Sequence, residues 1–140
     1  MIELTNNGTQ VVPSGAVVTY NTETIKSGCA EKHVVGSGTI TLALAGRYLV
    51  TFTGNVAIPT TGTAGEIDLA MEQNGEMIIG GQMKARPTAV NYFYNVAKQH
   101  YIDVPKTCAG VVPQTVSIIN NGDEAITVDN PTFTVVRVNG

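Results

Sequence analysis

Two histidines, His33 and His100, are the side chains of this sequence suited to act as the base of a nucleophilic site. His33 follows Cys29 by four residues in "CAEKHVVG", which invites a thiolate–imidazole pair. Four residues of irregular chain do not hold a thiol against a ring, so ordinary loop residues are the stronger reading. His100 lies in "KQHYI" on an expected strand, where a solvated or neighbour-satisfied ring is the default. Three copies of His100 around a symmetry axis would suit a metal or an anion, but nothing in the sequence puts it on an axis.

Hard-cation ligands gather in "NNGDEAITVDN", with Asn120, Asn121, Asp123, Glu124, Asp129 and Asn130. They lack the fixed spacing of a calcium loop, and a turn at Asn121-Gly122 accounts for half of them. Glu66, Asp68 and Glu72 alternate along one strand, and a solvated face explains them more simply than a glycosidase pair. "GSG" at 36–38 and the Gly80-Gly81 pair lack the Lys-Ser/Thr of a phosphate loop. Asn7-Gly8-Thr9 is formally a glycosylation sequon and reads as a turn. No catalytic residue, metal ligand or cofactor site is therefore assigned.

The elements that would have to position such residues are strands. Val, Ile, Thr and aromatics recur in short runs broken by Gly, Pro and Asn, and no helical period persists. "GRYLVTFTGNVAI" alternates cleanly: Tyr48, Val50, Phe52, Val56 and Ile58 share one face with Gly54, while Arg47, Thr51, Thr53 and Asn55 share the other. "GEIDLAMEQNGEMIIGG" repeats the pattern, with Ile67, Leu69 and Met71 inward and Glu66, Asp68 and Glu72 outward. Asn74-Gly75 is a strong hairpin signal because both residues tolerate positive φ. Asn121-Gly122 and Asn7-Gly8 are expected to act likewise.

Further strands are expected at about 9–12, 15–20, 38–44, 90–104 and 131–138. All six prolines are expected in gaps or at strand starts, and 103–114 as a long loop carrying Cys108. This amounts to one all-β domain over 1–140, built as two packed sheets.

Composition limits the partners. Charged residues are only 14% of the chain and the net charge is −3, with no basic run, which disfavours nucleic acid. No stretch is long and apolar enough for a membrane helix, and "MIELTNNGTQ" lacks the plan of a secretory signal, so general export is not expected. Cys29 and Cys108 permit one disulfide; two free, packed thiols are the alternative. The closing strand is apolar on both faces, Phe133 and Val135 on one and Val136 and Val138 on the other. That suits a core on one side and a neighbouring subunit on the second.

The order "GTITLALAGRYLVTFTGNVAI", "GEIDLAMEQNGE", "AITVDNPTFTVVRV" resembles the trimeric jelly-roll heads of the tumour necrosis factor and complement-globular-head superfamily. It looks most like the bacterial branch, the heads of collagen-like spore-surface glycoproteins and their prophage-encoded relatives. Gly46-x-Tyr48, the segment Leu69 to Gly75 and the closing "TVVRV" carry the likeness over roughly residues 38–138. No Gly-X-Y stalk precedes the head, and "VPKTCAGVVPQ" replaces the family's "L-x-x-Gly-Asp".

The resemblance implies a ten-stranded jelly roll forming a tight homotrimer without catalysis, on a phage or spore particle assembled in the cytoplasm. The expected subunit contacts are Tyr92, Tyr94, Phe133 and Val135. A surface glycan or particle protein is the expected outside partner, with Tyr101, and alternatively Tyr92 and Tyr94, as stacking rings for a glycan.

Overall fold

The computed structural model describes all residues from Met1 to Gly140. In chain order the strands are β1 (Ile2–Thr5), β2 (Thr9–Val12), β3 (Thr22–Lys26), β4 (Glu31–His33), β5 (Ile40–Leu42), β6 (Gly46–Ala57), β7 (Ile67–Gln73), β8 (Glu76–Ala85), β9 (Tyr94–Val104), β10 (Lys106–Thr107), β11 (Gly110–Val111), β12 (Gln114–Asn120) and β13 (Ile126–Asn139). Ten of them form two antiparallel five-strand paths, β3-β1-β13-β6-β9 and β4-β5-β12-β7-β8. β2 joins the first sheet through β13, and β10 and β11 form a small hairpin inside the expected long loop. This is a jelly-roll sandwich.

The alternation in β6 is what puts the core between the sheets. Tyr48, Val50, Phe52 and Val56 are fully buried, as are Phe133 and Val135 from β13 alongside. Tyr20 stacks on Phe133 with centroids 5.5 Å apart, and Phe52 meets the same ring edge-on at 6.3 Å. Gly54 has no side chain because a Cβ there would lie 3.1 Å from the Phe52 ring. Tyr48 enters the core with its hydroxyl donating to the Leu44 carbonyl at 2.6 Å, at the end of the sheet.

Phe133 and Val135 therefore correct one expectation. Both point into the core of a single chain at 0% exposure, so they present no surface to a neighbouring subunit. Register decides this: Phe133 pairs with Phe52 and Val135 with Val50, both on the inward row of β6. Val136 and Val138 take the outer face instead.

The three Asn-Gly pairs expected as turns differ in what they join. Asn74 (φ 54°) and Gly75 (φ 81°) close the β7–β8 hairpin between paired Gln73 and Glu76, as their types require. Asn121-Gly122 closes no hairpin, because β12 and β13 belong to different sheets. The Asn120 side chain shapes that crossover, donating to the Val12 and Glu124 carbonyls and accepting from the Gly122 amide. Nor does Asn7-Gly8: β1 and β2 pair successive parts of the same strand, β13. Opposite this interruption β13 bulges, with Asn130 at φ 49°. Pro131 therefore sits inside a strand, at the bulge, where its missing donor breaks no ladder bond.

Residues 15–20 touch the second sheet by one bridge, Val17 to Ile119, and by backbone bonds from Gly15 and Val18. The strands β3 and β4 occupy 22–26 and 31–33, where no apolar alternation marks them.

Tyr20 is fully buried, and its hydroxyl has no hydrogen-bond partner. Burial pushes its pKa well above the usual tyrosine value. The unfolded chain ionises from about pH 10 while the folded chain keeps the phenol neutral. Stability is thus complete below pH 10 and declines as pH rises through the folded value. Tyr20→Phe keeps the ring stack and removes the orphaned donor. It is expected to raise stability by about 1 kcal/mol at neutral pH and to flatten the alkaline decline. Urea midpoints measured from pH 7 to 11 check this; a variant weaker than the wild type at pH 7 would refute it.

Candidate functional site

The residues with chemical potential are dispersed. His33 has a buried side chain, with Nδ1 3.3 Å from Glu23 Oε1 and Nε2 2.8 Å from the Ser37 carbonyl. Both ring nitrogens are thus engaged by groups other than a thiol. Cys29 and Cys108 are free and exposed, so neither the bridge nor the packed-thiol expectation holds. Cys108 lies at the tip of the β10–β11 hairpin.

His100 pairs with Val50 and so lies on the inward row of β9, at the open edge of the sandwich. Its ring nitrogens lie 2.8 Å from the Tyr101 carbonyl and 3.4 Å from the Ile79 carbonyl. The outer face beside it belongs to Gln99 and Tyr101.

The oxygen-rich segment also divides. Asp123 and Glu124 line a shallow concavity with Glu66 and the 63–65 loop, whereas Asp129 lies on the first sheet and accepts from Thr9 Oγ1 at 3.1 Å. No three His, Cys, Asp or Glu side chains are grouped to hold a metal ion. Glu66 pairs with Lys84 at 3.6 Å, and burial raises the Glu72 pKa. Asp68 is not the solvated carboxylate expected. It is 8% exposed, and its Oδ2 accepts from Gln82 Nε2 and Asn121 Nδ2, both at 3.0 Å. It ties β7 and its neighbour β8 to the crossover.

What the fold does assemble is a face. Residues pointing out of the first sheet form cross-strand rows over β13, β6 and β9: Thr132–Thr53–Ala97, Thr134–Thr51–Gln99 and Val136–Leu49–Tyr101. Thr5 and Glu3 extend the first two rows on β1. Gln99 Nε2 donates to Thr51 Oγ1 at 3.3 Å. Beyond Tyr101 the face ends in a bidentate pair, Arg47 to Asp103 at 2.7 and 3.0 Å, which holds the Asp103 carboxyl below its usual range.

The third row is apolar. Leu49 and Val136 are half-buried and Tyr101 is 60% exposed. Leu49 was the missed signal: it is the one apolar residue among Arg47, Thr51, Thr53 and Asn55 on the outward side of β6.

Tyr92, Phe93 and Tyr94 are exposed at the opposite end of β9. Asn91 (φ 61°) holds them out, its amide bonded to the Ile58 carbonyl at 2.8 Å and its side chain to Thr60 Oγ1 at 2.9 Å. Seven residues of strand, roughly 23 Å, separate Tyr94 from Tyr101. Tyr94 also pairs with Val56 on the inward row, so these rings do not make one platform with Tyr101.

No family model and no curated protein matches this chain. Solved structures do. The Eiger TNF of S. frugiperda superposes with a TM-score of 0.74 at 10% identity, covering 98% of this chain and 90% of that one. The globular domain of the zebrafish complement 1qA protein gives 0.63 at 14%, over 97% and 96%. The PRD1 vertex protein P5 gives 0.56 at 17%, over 99% and 96%. Together with the strand order and the buried Tyr48, these likenesses identify the fold as the jelly roll shared by tumour necrosis factors and complement globular heads.

Proposed function

We propose that this chain is a noncatalytic head that assembles as a homotrimer and serves assembly, decoration or attachment on a bacterial particle, a phage virion or spore. The observation that carries the reading is the outer face of the first sheet. Its three central rows, on β13, β6 and β9, hold no charged side chain, and one of them is apolar. A broad sheet face of this kind is economically covered by further copies of the same chain.

The likeness to a vertex protein supports a particle setting, and the resemblance to bacterial heads supports the spore or phage context. Light scattering across a dilution series tests the assembly. The expected mass is three times the 14.7 kDa of one chain, and a single-chain mass at every concentration would overturn the proposal.

Attachment has its own candidate surface. Tyr92, Phe93 and Tyr94 are held outward by Asn91, at the end of the sandwich formed by the 58–66 and 86–93 loops. Exposed rings beside Asn and Thr side chains suit a neutral glycan, which stacks on an aromatic face and bonds to amides and hydroxyls. A glycan array is expected to reveal a binder that Tyr92→Ala loses, and an array blank for the wild-type trimer would remove this reading.

A further inference from the structure

We propose that Asn7 is a self-modifying position, where the side-chain amide is lost to spontaneous ring closure on Gly8 and replaced by an aspartyl or isoaspartyl carboxylate. Asn-Gly is the dipeptide best suited to this reaction, because glycine has no Cβ to shield its backbone nitrogen. The chain has four such pairs, at residues 7–8, 74–75, 121–122 and 139–140. The fold treats them differently, and the difference selects one.

Closure requires the Asn side chain to turn its Cγ onto the next backbone nitrogen, so hydrogen bonds that fix the side chain hold it out of reaction. Asn74 is fixed at both ends of its amide: Oδ1 accepts from the Thr115 amide at 2.9 Å, and Nδ2 donates to Gln114 Oε1. Asn121 Nδ2 donates to the Asp68 carboxylate at 3.0 Å, and its backbone amide donates to the Asp68 carbonyl at 2.9 Å. Its attacking partner is engaged as well, since the Gly122 amide donates to Asn120 Oδ1 at 3.0 Å. Asn139 lies in the β13 ladder opposite Arg47, which resists the backbone rotation closure needs, and the Arg137 guanidinium crowds Gly140.

Asn7 has none of these restraints. Both it and Gly8 are exposed. Its backbone amide donates to Asn21 Oδ1 at 3.1 Å, while its side chain makes no hydrogen bond within the chain. Gly8 adopts φ 99°, and a Cβ built on it would meet no atom within 4 Å, so the space around it is open. The surroundings also tolerate the product. Thr5 pairs with Thr132 and Thr9 with Asp129, so residues 6–8 pass the bulge at 130–131 without joining the ladder. The methylene that an isoaspartyl linkage adds to the main chain is taken up in a link that sets no strand register.

The step balances without oxidant, reductant or cofactor. The Gly8 nitrogen gives up its proton and attacks Asn7 Cγ; the N–Cγ bond forms, the Cγ–Nδ2 bond breaks and ammonia departs. Water then opens the cyclic imide at either carbonyl, giving the aspartyl or the isoaspartyl form. An amide and water become a carboxylate and ammonium, which adds one negative charge to a chain of net charge −3. The same amide is the acceptor of the Asn7-Gly8-Thr9 sequon, so a deamidated copy no longer accepts an N-linked glycan. The reaction takes place within one chain and is independent of the trimer proposed above.

The test incubates the full chain in warm, mildly alkaline buffer, folded in one sample and unfolded in urea in a second. Peptide mapping by mass spectrometry, with isoaspartyl methyltransferase labelling, reads each Asn-Gly pair. In the folded chain Asn7 is expected to convert at least about tenfold faster than Asn74 or Asn121, whose hydrogen bonds must open first. In urea the three are expected to converge. Asn7→Ser is expected to remove the acidic species that ion exchange resolves from aged protein and to leave the urea midpoint unchanged. An Asn7 that stays intact in the folded chain, or converts no faster than Asn74 and Asn121, would refute the assignment. An undiminished yield of the acidic species from Asn7→Ser would refute it too.

Discussion

Replacing Phe133 by alanine is expected to lower the free energy of unfolding by about 3–5 kcal/mol, the range for removing a large buried aromatic. The ring sits at the junction of three elements. β13 carries it between Leu4 of β1 and Phe52 of β6, and Tyr20 stacks over it at an interplanar angle of 24°. Loss of the ring removes its apolar burial and both aromatic contacts, the latter about 0.5–1.5 kcal/mol each. It also leaves a void that two paired strands cannot close without breaking their ladders.

Urea unfolding at fixed chain concentration measures this, because the proposed assembly would add a concentration-dependent contribution to stability. A loss below about 1 kcal/mol would contradict the central position of Phe133, whereas Phe133→Leu, which keeps most of the volume, is expected to cost under about 2 kcal/mol.

The second large effect concerns assembly. Leu49→Arg is expected to convert the proposed trimer to single chains, with a threefold fall in mass and little change in the stability of the isolated fold. In one chain Leu49 is half-buried on the outer face, so a guanidinium there still reaches water. Between subunits it would be desolvated beside Val136 and Tyr101. The nearest carboxylate along the face, Asp103, already has both oxygens engaged by Arg47. An unpaired buried charge costs several kcal/mol, more than one interface row supplies. Retention of the wild-type mass by Leu49→Arg, with the wild type itself trimeric, would place the interface elsewhere. The contrast with Phe133→Ala separates the two faces of the first sheet: one change lowers stability and the other lowers mass.

Local pattern was enough to determine the all-β class, the inward row of β6, the Asn74-Gly75 hairpin and the entry of Tyr48 into the core. These depend on period-two alternation and on the φ preferences of Asn and Gly, which neighbouring residues already express. The family order of segments carried the jelly roll. Pairing partners are not local, and there the reading failed or fell silent. Asn121-Gly122 looks like Asn74-Gly75 in sequence, yet one joins paired strands and the other crosses between sheets, because β12 is flanked by β5 and β7 while β13 is flanked by β1, β2 and β6.

The same non-locality hid the candidate site. The two apolar faces of the last strand were legible, but only its register against Phe52 and Val50 shows that Phe133 and Val135 belong to the core and Val136 to the surface. Leu49, Val136 and Tyr101 lie far apart in the chain and become one row only when β13, β6 and β9 align. Ile79 reads as an ordinary strand residue, yet the register shift that sets residues 78–81 of β8 opposite the single residue Met71 leaves it 96% exposed. Composition determined that the surface is poor in charge; tertiary pairing alone decided which residues that surface contains, since a sheet face is made of residues that meet across strands.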